Sequence, residues 1–401
     1  MTEAEEKLNT EHYRSEIAML NHEIYTLTKK LEEKEKEREA AVRHDRFDPF
    51  DNPTEYKGFS GDYSKVLPEI ENPDYRVPLY PEAEERRNLR RYYSIGGLCT
   101  FLQFALTDIA MIILTTLMTT ILSDKNPGAG TEAITSYMRS GSILAGLNLL
   151  IFLLFNVGLA FLGLKLAGIR SSVLIRTRDF SAAHAVQYCF AALFLWVVSV
   201  FTASGIEEIF EKFNATSNVI SDKGMGRTAV GGVIMVVYSC IIAPVTEELF
   251  FRGMLLRVLS KANQRFAIIA TAIFFGLGHA NLPQFVLAFL IGTFLGHITM
   301  KHGSIIPAVI VHIFINTMSE VVTYVSDMES DIAYFILQMV LIAAALVGLI
   351  MLLVFRSGDK LPATTPAQAK RGIPLAVMSI PLSVTFLIEV FYMAYLIIEN
   401  L

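Results

Sequence analysis

Long runs of apolar residues dominate the chain after residue 93, and most are long enough to cross a bilayer as a helix. About 20 helical residues span the ~30 Å hydrocarbon core. Such runs lie near 94–122, 141–168, 183–206, 229–256, 266–282, 284–300, 304–325, 332–355 and 374–398. The fifth and sixth are short and are separated only by Asn281, Leu282 and Pro283. The pattern predicts an all-α polytopic transmembrane bundle of about nine spans, with eight or ten as alternatives if that pair is re-entrant or the last two spans are misread.

The first 93 residues follow a different pattern. Apolar residues recur there every three or four positions, as in a coiled-coil seam: Ile17, Leu20, Ile24, Leu27 and Leu31. About two heptads are marginal for a stable coiled coil, so a dimerising or partner-binding helix and a single solvated helix both stay open. We expect a coiled-coil-like helix over 1–42, with self-association or a cytoplasmic partner, and an irregular linker over 43–93.

Composition sharpens this division. The chain has 401 residues, 53% of them hydrophobic, and 38 of its 73 charged side chains lie in residues 1–93. The net charge of −5 and the mixed signs give no basic surface suited to nucleic acid, so we expect no nucleic-acid partner. Cys99, Cys189 and Cys240 lie in apolar runs without metal-ligand spacing, which is typical of small core residues.

Positive charges between the spans predict the orientation, because cytoplasmic loops collect Lys and Arg. The clusters are Arg86, Arg87, Arg90 and Arg91; Arg170, Arg176 and Arg178; Arg257, Lys261 and Arg265; Lys301; and Arg356, Lys360, Lys370 and Arg371. All fall on one side if nine spans alternate. The first forty residues lack the apolar segment of a secretory signal. We therefore expect a multi-pass protein of the cell membrane, with the N-terminus cytoplasmic and the C-terminus outside.

The fourth span contains three ionisable residues, although each charge at mid-membrane costs roughly 2.5–3.5 kcal/mol. Glu248 and Arg252 are four residues apart on one helical face and can pair, whereas Glu247 points about 100° away. Glu247 therefore has no obvious local partner. Such a carboxylate can accept a proton, which is what a general base must do.

Two later spans contribute polar residues at a similar depth. His279 closes the fifth span after Phe275, and His312 and Asn316 share one face of the seventh. Counting ~1.5 Å per residue from the predicted cytoplasmic boundary places Glu247, His279, His312 and Asn316 about 12 to 20 Å deep. The sequence thus predicts that three helices present a carboxylate, two imidazoles and a carboxamide to one layer of the membrane.

The three motifs, Glu-Glu-x-x-x-Arg, Phe-x-x-x-His and His-x-x-x-Asn, stand in this order on successive spans. This arrangement resembles the CPBP family of CAAX proteases and bacteriocin-processing proteins, in its type II CAAX protease-like form, over about residues 190–325 of a membrane domain 94–401. The resemblance implies an intramembrane endopeptidase that acts on membrane-associated proteins or peptides. By motif position it implies these roles: Glu247 and His279 activate water, His312 and Asn316 stabilise the oxyanion, and Glu248 and Arg252 are structural or orienting.

Three alternatives stay open at this point. His279, His312 and Glu247 could bind zinc with an open position for water, although Glu-Glu in place of the paired histidines of familiar zinc proteases favours a site without a cofactor. A non-catalytic scaffold or immunity protein of the same fold would use the N-terminal helix for a partner. A proton-coupled transporter would use Glu247 and Glu248, but the internal repeats typical of that class are not evident.

Other polar residues in or near the spans are expected to be structural. Asp108 and Glu389 are expected to make local polar contacts, and Lys165 can extend to the membrane surface. Glu207, Glu208 and Lys212 imitate the first motif but have no histidine at their depth.

Overall fold

The computed structural model describes residues 3–43, 81–128, 130–140, 142–213, 229–328, 330–358 and 372–399. Their helices are α1 Glu3–Arg43, α2 Pro81–Lys125, α3 Thr131–Ser140, α4 Ser142–Ala167, α5 Ala182–Lys212, α6 Ala229–Val237, α7 Ala243–Glu247, α8 Leu256–Ser260, α9 Gln264–Leu277, α10 Leu282–His302, α11 Ile306–Asp327, α12 Asp331–Gly358, α13 Gly372–Met378 and α14 Ile380–Glu399. A 3₁₀ turn covers Ser171–Ile175, and π-helical segments cover Tyr238–Ile242 and Glu248–Leu255. Most of the expected linker lies outside the described residues, as do Lys360, Lys370 and Arg371.

Eight described helical stretches are long and apolar enough to cross a membrane, which confirms the all-α polytopic bundle and makes this a multi-pass membrane protein. They are Leu89–Lys125, Ile143–Ala167, Ala182–Lys212, Val230–Ser260, Leu282–His302, Ile306–Asp327, Asp331–Val354 and Ile380–Ile398. Large apolar side chains such as Ile112, Ile332 and Ile380 are exposed on their outer faces, where lipid would lie.

The fifth predicted span is shorter than expected. Its helix α9 has 14 residues and therefore measures about 21 Å, less than the ~30 Å hydrocarbon core. The chain reverses after it because Asn281 caps α10, accepting a hydrogen bond from the Gln284 N–H at 3.0 Å, and because Pro283 suits a first helical turn. Helices α9 and α10 thus form a hairpin, and the described helices long enough to span a membrane number eight, one of the predicted alternatives.

Two hydrophobic clusters build the bundle. One joins α2, α4, α8 and α9 around residues such as Phe250, Met254 and Leu255. The other joins α5, α10, α11 and α12 around Tyr188 and Leu295. Helix α10 contributes to both clusters and therefore joins the two halves of the bundle.

Several of the predicted positive clusters meet at one end of the bundle. The Arg178 N–H donates to the His302 carbonyl at 3.0 Å, and the Arg257 guanidinium donates to the Gly303 carbonyl at 2.7 Å. The Lys261 ammonium lies 4.9 Å from the centre of the Tyr92 ring. These contacts bring together the chain around four of the predicted cytoplasmic clusters, as a one-sided distribution of positive charge requires.

The N-terminal part contains a helix longer than the predicted seam. Helix α1 has 41 residues, and the side chains of the seam are exposed, with Leu20 at 53% and Ile24 at 60%. Helix α2 begins at Pro81, inside the segment expected to be irregular, because proline is well suited to a first helical turn.

Candidate active site

The fourth span is not a regular α-helix where it carries the first motif. Glu247 ends α7, and Glu248 begins a π-helical segment of eight residues. Glu248 and Arg252 are fully buried, and the Arg252 Nη1 donates to the Glu248 Oε1 at 2.7 Å, so the predicted pairing on one face is present. Arg252 also donates to the Gly292 carbonyl at 3.3 Å, and a Cβ at Gly292 would lie only 3.1 Å from its Nη2. The pair is therefore held from α10 as well.

The imidazole of His312 lies between the two carboxylates. Its Nδ1 is 2.8 Å from the Glu248 Oε1, and its Nε2 is 3.7 Å from the Glu247 Oε2. The side chain of His312 is 7% exposed and that of Glu247 is 16% exposed. Adjacent helical residues point about 100° apart, and accordingly the two glutamates contact different nitrogens of the ring, Glu247 at Nε2 and Glu248 at Nδ1.

His279 lies in the turn after α9 rather than within the helix. Gly278 is the C-cap residue of α9. Ala280 adopts a left-handed backbone conformation, with φ of 50°, before α10 begins. The His279 Nδ1 is 2.9 Å from the Phe275 carbonyl oxygen and must donate to it, because a carbonyl only accepts. In a neutral imidazole this leaves Nε2 as an acceptor.

The ring of Phe275 explains the first position of the second motif. Its centre lies 5.1 Å from that of His279 and 5.7 Å from that of His312, edge to face in both pairs. The Arg252 guanidinium carbon lies 4.4 Å from the same ring centre. Phe275 thus separates the two imidazoles and covers the buried guanidinium.

Asn316 binds a carbonyl group that the fourth span leaves without its helical partner. In the first π-helical segment the Ala243 N–H donates to the Tyr238 carbonyl, five residues back. In that register the next carbonyl, that of Ser239, would need an N–H from Pro244, which has none. The Asn316 Nδ2 donates to the Ser239 carbonyl at 2.8 Å instead. A carboxamide has two N–H donors, so one is left for a ligand.

A cavity of about 240 Å³ lies between α9, α10, α11 and the fourth span. Its polar lining comprises Ser239, His279, Gln284, His312, Asn316, Ser319 and Glu320, and Phe275, Leu287, Ala288, Ile291 and Ile315 complete the wall. The two histidines and the asparagine predicted from the sequence therefore face one space. Glu247 is not part of the cavity wall. Its carboxylate contacts the Nε2 of His312, which is a wall residue.

Residues 229–318 match the family described as Rce1-like, type II CAAX prenyl endopeptidase Rce1-like. The resemblance to the CPBP family is confirmed. The matching segment contains all three motifs. Comparisons with curated proteins and with solved structures gave no match.

Two residues beside the CPBP motifs were missed by the sequence reasoning. Glu320 follows Asn316 by one further step of four residues, so the same helical spacing could have found it. The Ser239 Oγ donates to the Glu320 Oε1 at 2.9 Å. No sequence signal marks Ser239, because its role depends on the approach of α11.

A buried chain of amides links the fourth span to α2 and α4. The Gln103 Nε2 donates to the Asn156 Oδ1 at 3.0 Å, and the Asn156 Nδ2 donates to the Thr246 Oγ1 at 3.3 Å. Thr246 directly precedes the CAAX-protease Glu-Glu pair, so this chain fixes the segment that carries both glutamates.

The described residues contain no preformed site for the zinc alternative. Within these ranges no group of three His, Cys, Asp or Glu side chains is arranged to hold a metal ion. The Nδ1 atoms of His279 and His312 are held by the Phe275 carbonyl and the Glu248 carboxylate, which leaves the Nε2 of each ring directed away from these partners.

The polar residues set aside by the sequence analysis lie apart from this cavity. Glu208 and Lys212 form a 3.3 Å ion pair, but both side chains are more than two-thirds exposed. Asp108 is exposed on α2, and Glu389 is buried on α14.

Proposed function

We propose that the protein is an intramembrane endopeptidase that hydrolyses a peptide bond in membrane-associated proteins or peptides. The observation that carries this proposal is the convergence of His279, His312 and Asn316 on one cavity, with the Glu247 carboxylate 3.7 Å from the His312 Nε2. Peptide hydrolysis needs a base for water and donors for the oxyanion, and this set supplies both.

In the proposed reaction Glu247 takes a proton from water, and the oxygen attacks the carbonyl carbon of the substrate. His279 accepts a hydrogen bond through Nε2 from the hydrogen that stays on this oxygen, because its Nδ1 proton is held by the Phe275 carbonyl. Glu247 then gives its proton to the nitrogen of the leaving amine as the C–N bond breaks. The same carboxylate thus serves as base and acid, as in other general acid–base mechanisms.

His312 and Asn316 stabilise the tetrahedral oxyanion in this proposal. His312 donates Nδ1–H to Glu248, so donation from Nε2 to a substrate requires the imidazolium form. That form makes the buried set of Glu247, Glu248, Arg252 and His312 electrically neutral, which is how buried charges are tolerated. Glu248 therefore orients His312, Arg252 offsets the charge of Glu248, and Asn316 adds its second N–H to the oxyanion.

Hydrolysis of candidate membrane peptides by the purified protein tests this proposal. We expect Glu247→Gln to abolish cleavage, because the amide cannot accept the water proton, while the protein keeps its thermal stability in detergent. Glu208→Gln removes an exposed acid outside the cavity and is the matched control, for which we expect wild-type activity. Equal activity of Glu247→Gln and wild type would contradict the mechanism, and loss of wild-type activity with a strong chelator would assign the chemistry to a metal.

The alternative is a non-catalytic membrane scaffold, and the exposed apolar seam of α1 is the observation that favours it. A scaffold would need residues 1–42 and tolerate Glu247→Ala and His279→Ala. For the endopeptidase we expect the reverse: a chain without residues 1–42 still cleaves peptides, and both alanine variants fail.

A further inference from the structure

A third polar residue continues the face of α11 that carries the proposed oxyanion donors. His312, Asn316 and Glu320 are spaced by four residues, so they lie on one side of the helix. Both Asn316 and Glu320 line the 240 Å³ cavity. At 1.5 Å per residue, Glu320 stands about 6 Å further along the helix axis than Asn316.

The Glu320 carboxylate is held in place but is not neutralised. The Ser239 hydroxyl donates to its Oε1 at 2.9 Å, and Ser239 itself is anchored through its carbonyl to Asn316. Within the described ranges no cationic side chain forms an ion pair with Glu320. This differs from Glu248, whose charge is offset by Arg252 and His312.

The rest of the cavity wall offers no cation beyond the catalytic histidines. Gln284 and Ser319 are neutral, and Leu287, Ala288, Ile291 and Ile315 are apolar. A carboxylate on this wall with no cation beside it attracts a positive group and repels a negative one. The geometry therefore favours a cationic group on the substrate.

The distance along α11 limits where that group stands on a substrate. An extended chain advances about 3.3–3.6 Å per residue, so a carboxylate about 6 Å beyond the oxyanion donor faces a residue within two positions of the scissile bond. Lys and Arg are the residues whose long, flexible side chains bring a cation to a half-buried carboxylate.

We propose that Glu320, held by Ser239, is a specificity residue that selects substrates with a Lys or Arg side chain within two residues of the scissile bond. This inference rests on the proposed endopeptidase function and adds a substrate class to it. An acidic side chain or a free carboxylate at the same place is disfavoured by the same charge.

A set of matched peptides tests the proposal. A membrane peptide that the wild-type protein cleaves is varied at the two positions on each side of the scissile bond, with Lys, Gln or Glu at one position at a time. At one of these positions we expect kcat/KM to be at least about tenfold higher for Lys than for Gln, and lowest for Glu.

Glu320→Gln should remove this preference, Glu320→Lys should invert it, and Ser239→Ala should weaken it. Asp327→Asn, an exposed acid at the end of the same helix, should leave it unchanged.

Binding separates a failure of this inference from a failure of the proposed function. The same peptides, labelled with a fluorophore, are titrated into the Glu247→Gln variant, which should bind them without cleaving them. The ratio of the Kd for the Glu peptide to the Kd for the Lys peptide is then measured. The same ratio is measured for the double variant Glu247→Gln with Glu320→Gln, and the two ratios are compared. A Lys preference in binding that depends on Glu320, together with cleavage by Glu247→Gln as fast as by the wild type, would overturn the proposed mechanism and keep the binding site. Equal affinities, or a preference that persists without Glu320, would overturn the inference while leaving cleavage intact.

Discussion

At the scale of single residues, one carboxylate oxygen organises the site. The Glu248 Oε1 accepts from the Arg252 Nη1 at 2.7 Å and is 2.8 Å from the His312 Nδ1, whereas its Oε2 has no hydrogen-bond partner among the described residues. A buried charge that loses its partner is far more costly than a buried pair replaced as a whole. The stability of the bundle and the orientation of His312 therefore depend on the same atom.

We expect Glu248→Ala to lower the free energy of unfolding by about 3–5 kcal/mol, because Arg252 keeps a buried charge without its carboxylate. Thermal unfolding in detergent measures this. The double variant Glu248→Met with Arg252→Met removes both charges and should recover much of the lost stability, but not peptide cleavage, because His312 has lost its acceptor. A double variant as unstable as the single one would contradict this account.

Asn316 offers a second test at this scale. Asn316→Ala should lower kcat by about 10² to 10³ with little change in KM, because an oxyanion donor acts mainly in the transition state. Thr317 bonds only the Ile313 carbonyl of its own helix, so Thr317→Ala is the control and should keep wild-type kinetics. A change in KM alone would assign Asn316 to substrate binding instead.

At the scale of elements, close helix crossings hold the two clusters in place. A Cβ at Gly348 of α12 would overlap the carbonyl oxygen of Phe190 in α5, whereas nothing lies within 4 Å of a Cβ at Gly158 of α4. Small residues are typical of such crossings in membranes, since packing rather than water exclusion drives helix association there. The crossing of α5 and α12 supports the cluster into which α11 packs its apolar residues Val311 and Ile315.

The substitution Gly348→Ala should therefore separate α12 from α5 and lower the melting temperature in detergent by several degrees, as a loss of about 1–3 kcal/mol from overpacking would do. Gly158→Ala should leave the melting temperature unchanged or raise it slightly, since alanine favours a helix over glycine. A similar loss of stability in both variants would point to a general effect of the added methyl group.

At the scale of the whole molecule, the positive clusters collect at one end and predict a common membrane side. Arg90, Arg176 and Arg265 are exposed near that end, whereas Asp124 and Asp327 are exposed at the opposite ends of their helices. The orientation expected from the positive charges places the first three in the cytoplasm.

Single cysteines at these five positions, in a chain without Cys99, Cys189 and Cys240, should divide into two groups under a membrane-impermeant maleimide. We expect positions 124 and 327 to label in intact cells, and positions 90, 176 and 265 to label only after permeabilisation. Labelling of Arg90→Cys together with Asp124→Cys in intact cells would overturn the predicted orientation.

The sequence determined much of this protein by itself. Apolar run lengths gave the all-α bundle within one span, and the spacing of four in Glu248 and Arg252, and in His312 and Asn316, predicted shared faces that the structure contains. These inferences succeed because span length and helical period are local properties, set by hydrocarbon thickness and backbone geometry.

Only the tertiary structure decided the contacts between elements. Three of these contacts depend on the π-helical segments and on how α11 packs. They are the approach of both glutamates to His312, the hydrogen bond from Asn316 to the Ser239 carbonyl, and the location of Glu320 in the cavity wall. The hairpin with α10 likewise decided the short length of α9. It therefore also decided that His279 lies in a turn. Such features arise from contacts between residues that are far apart in the chain. A local periodicity carries no information about the distance between such residues.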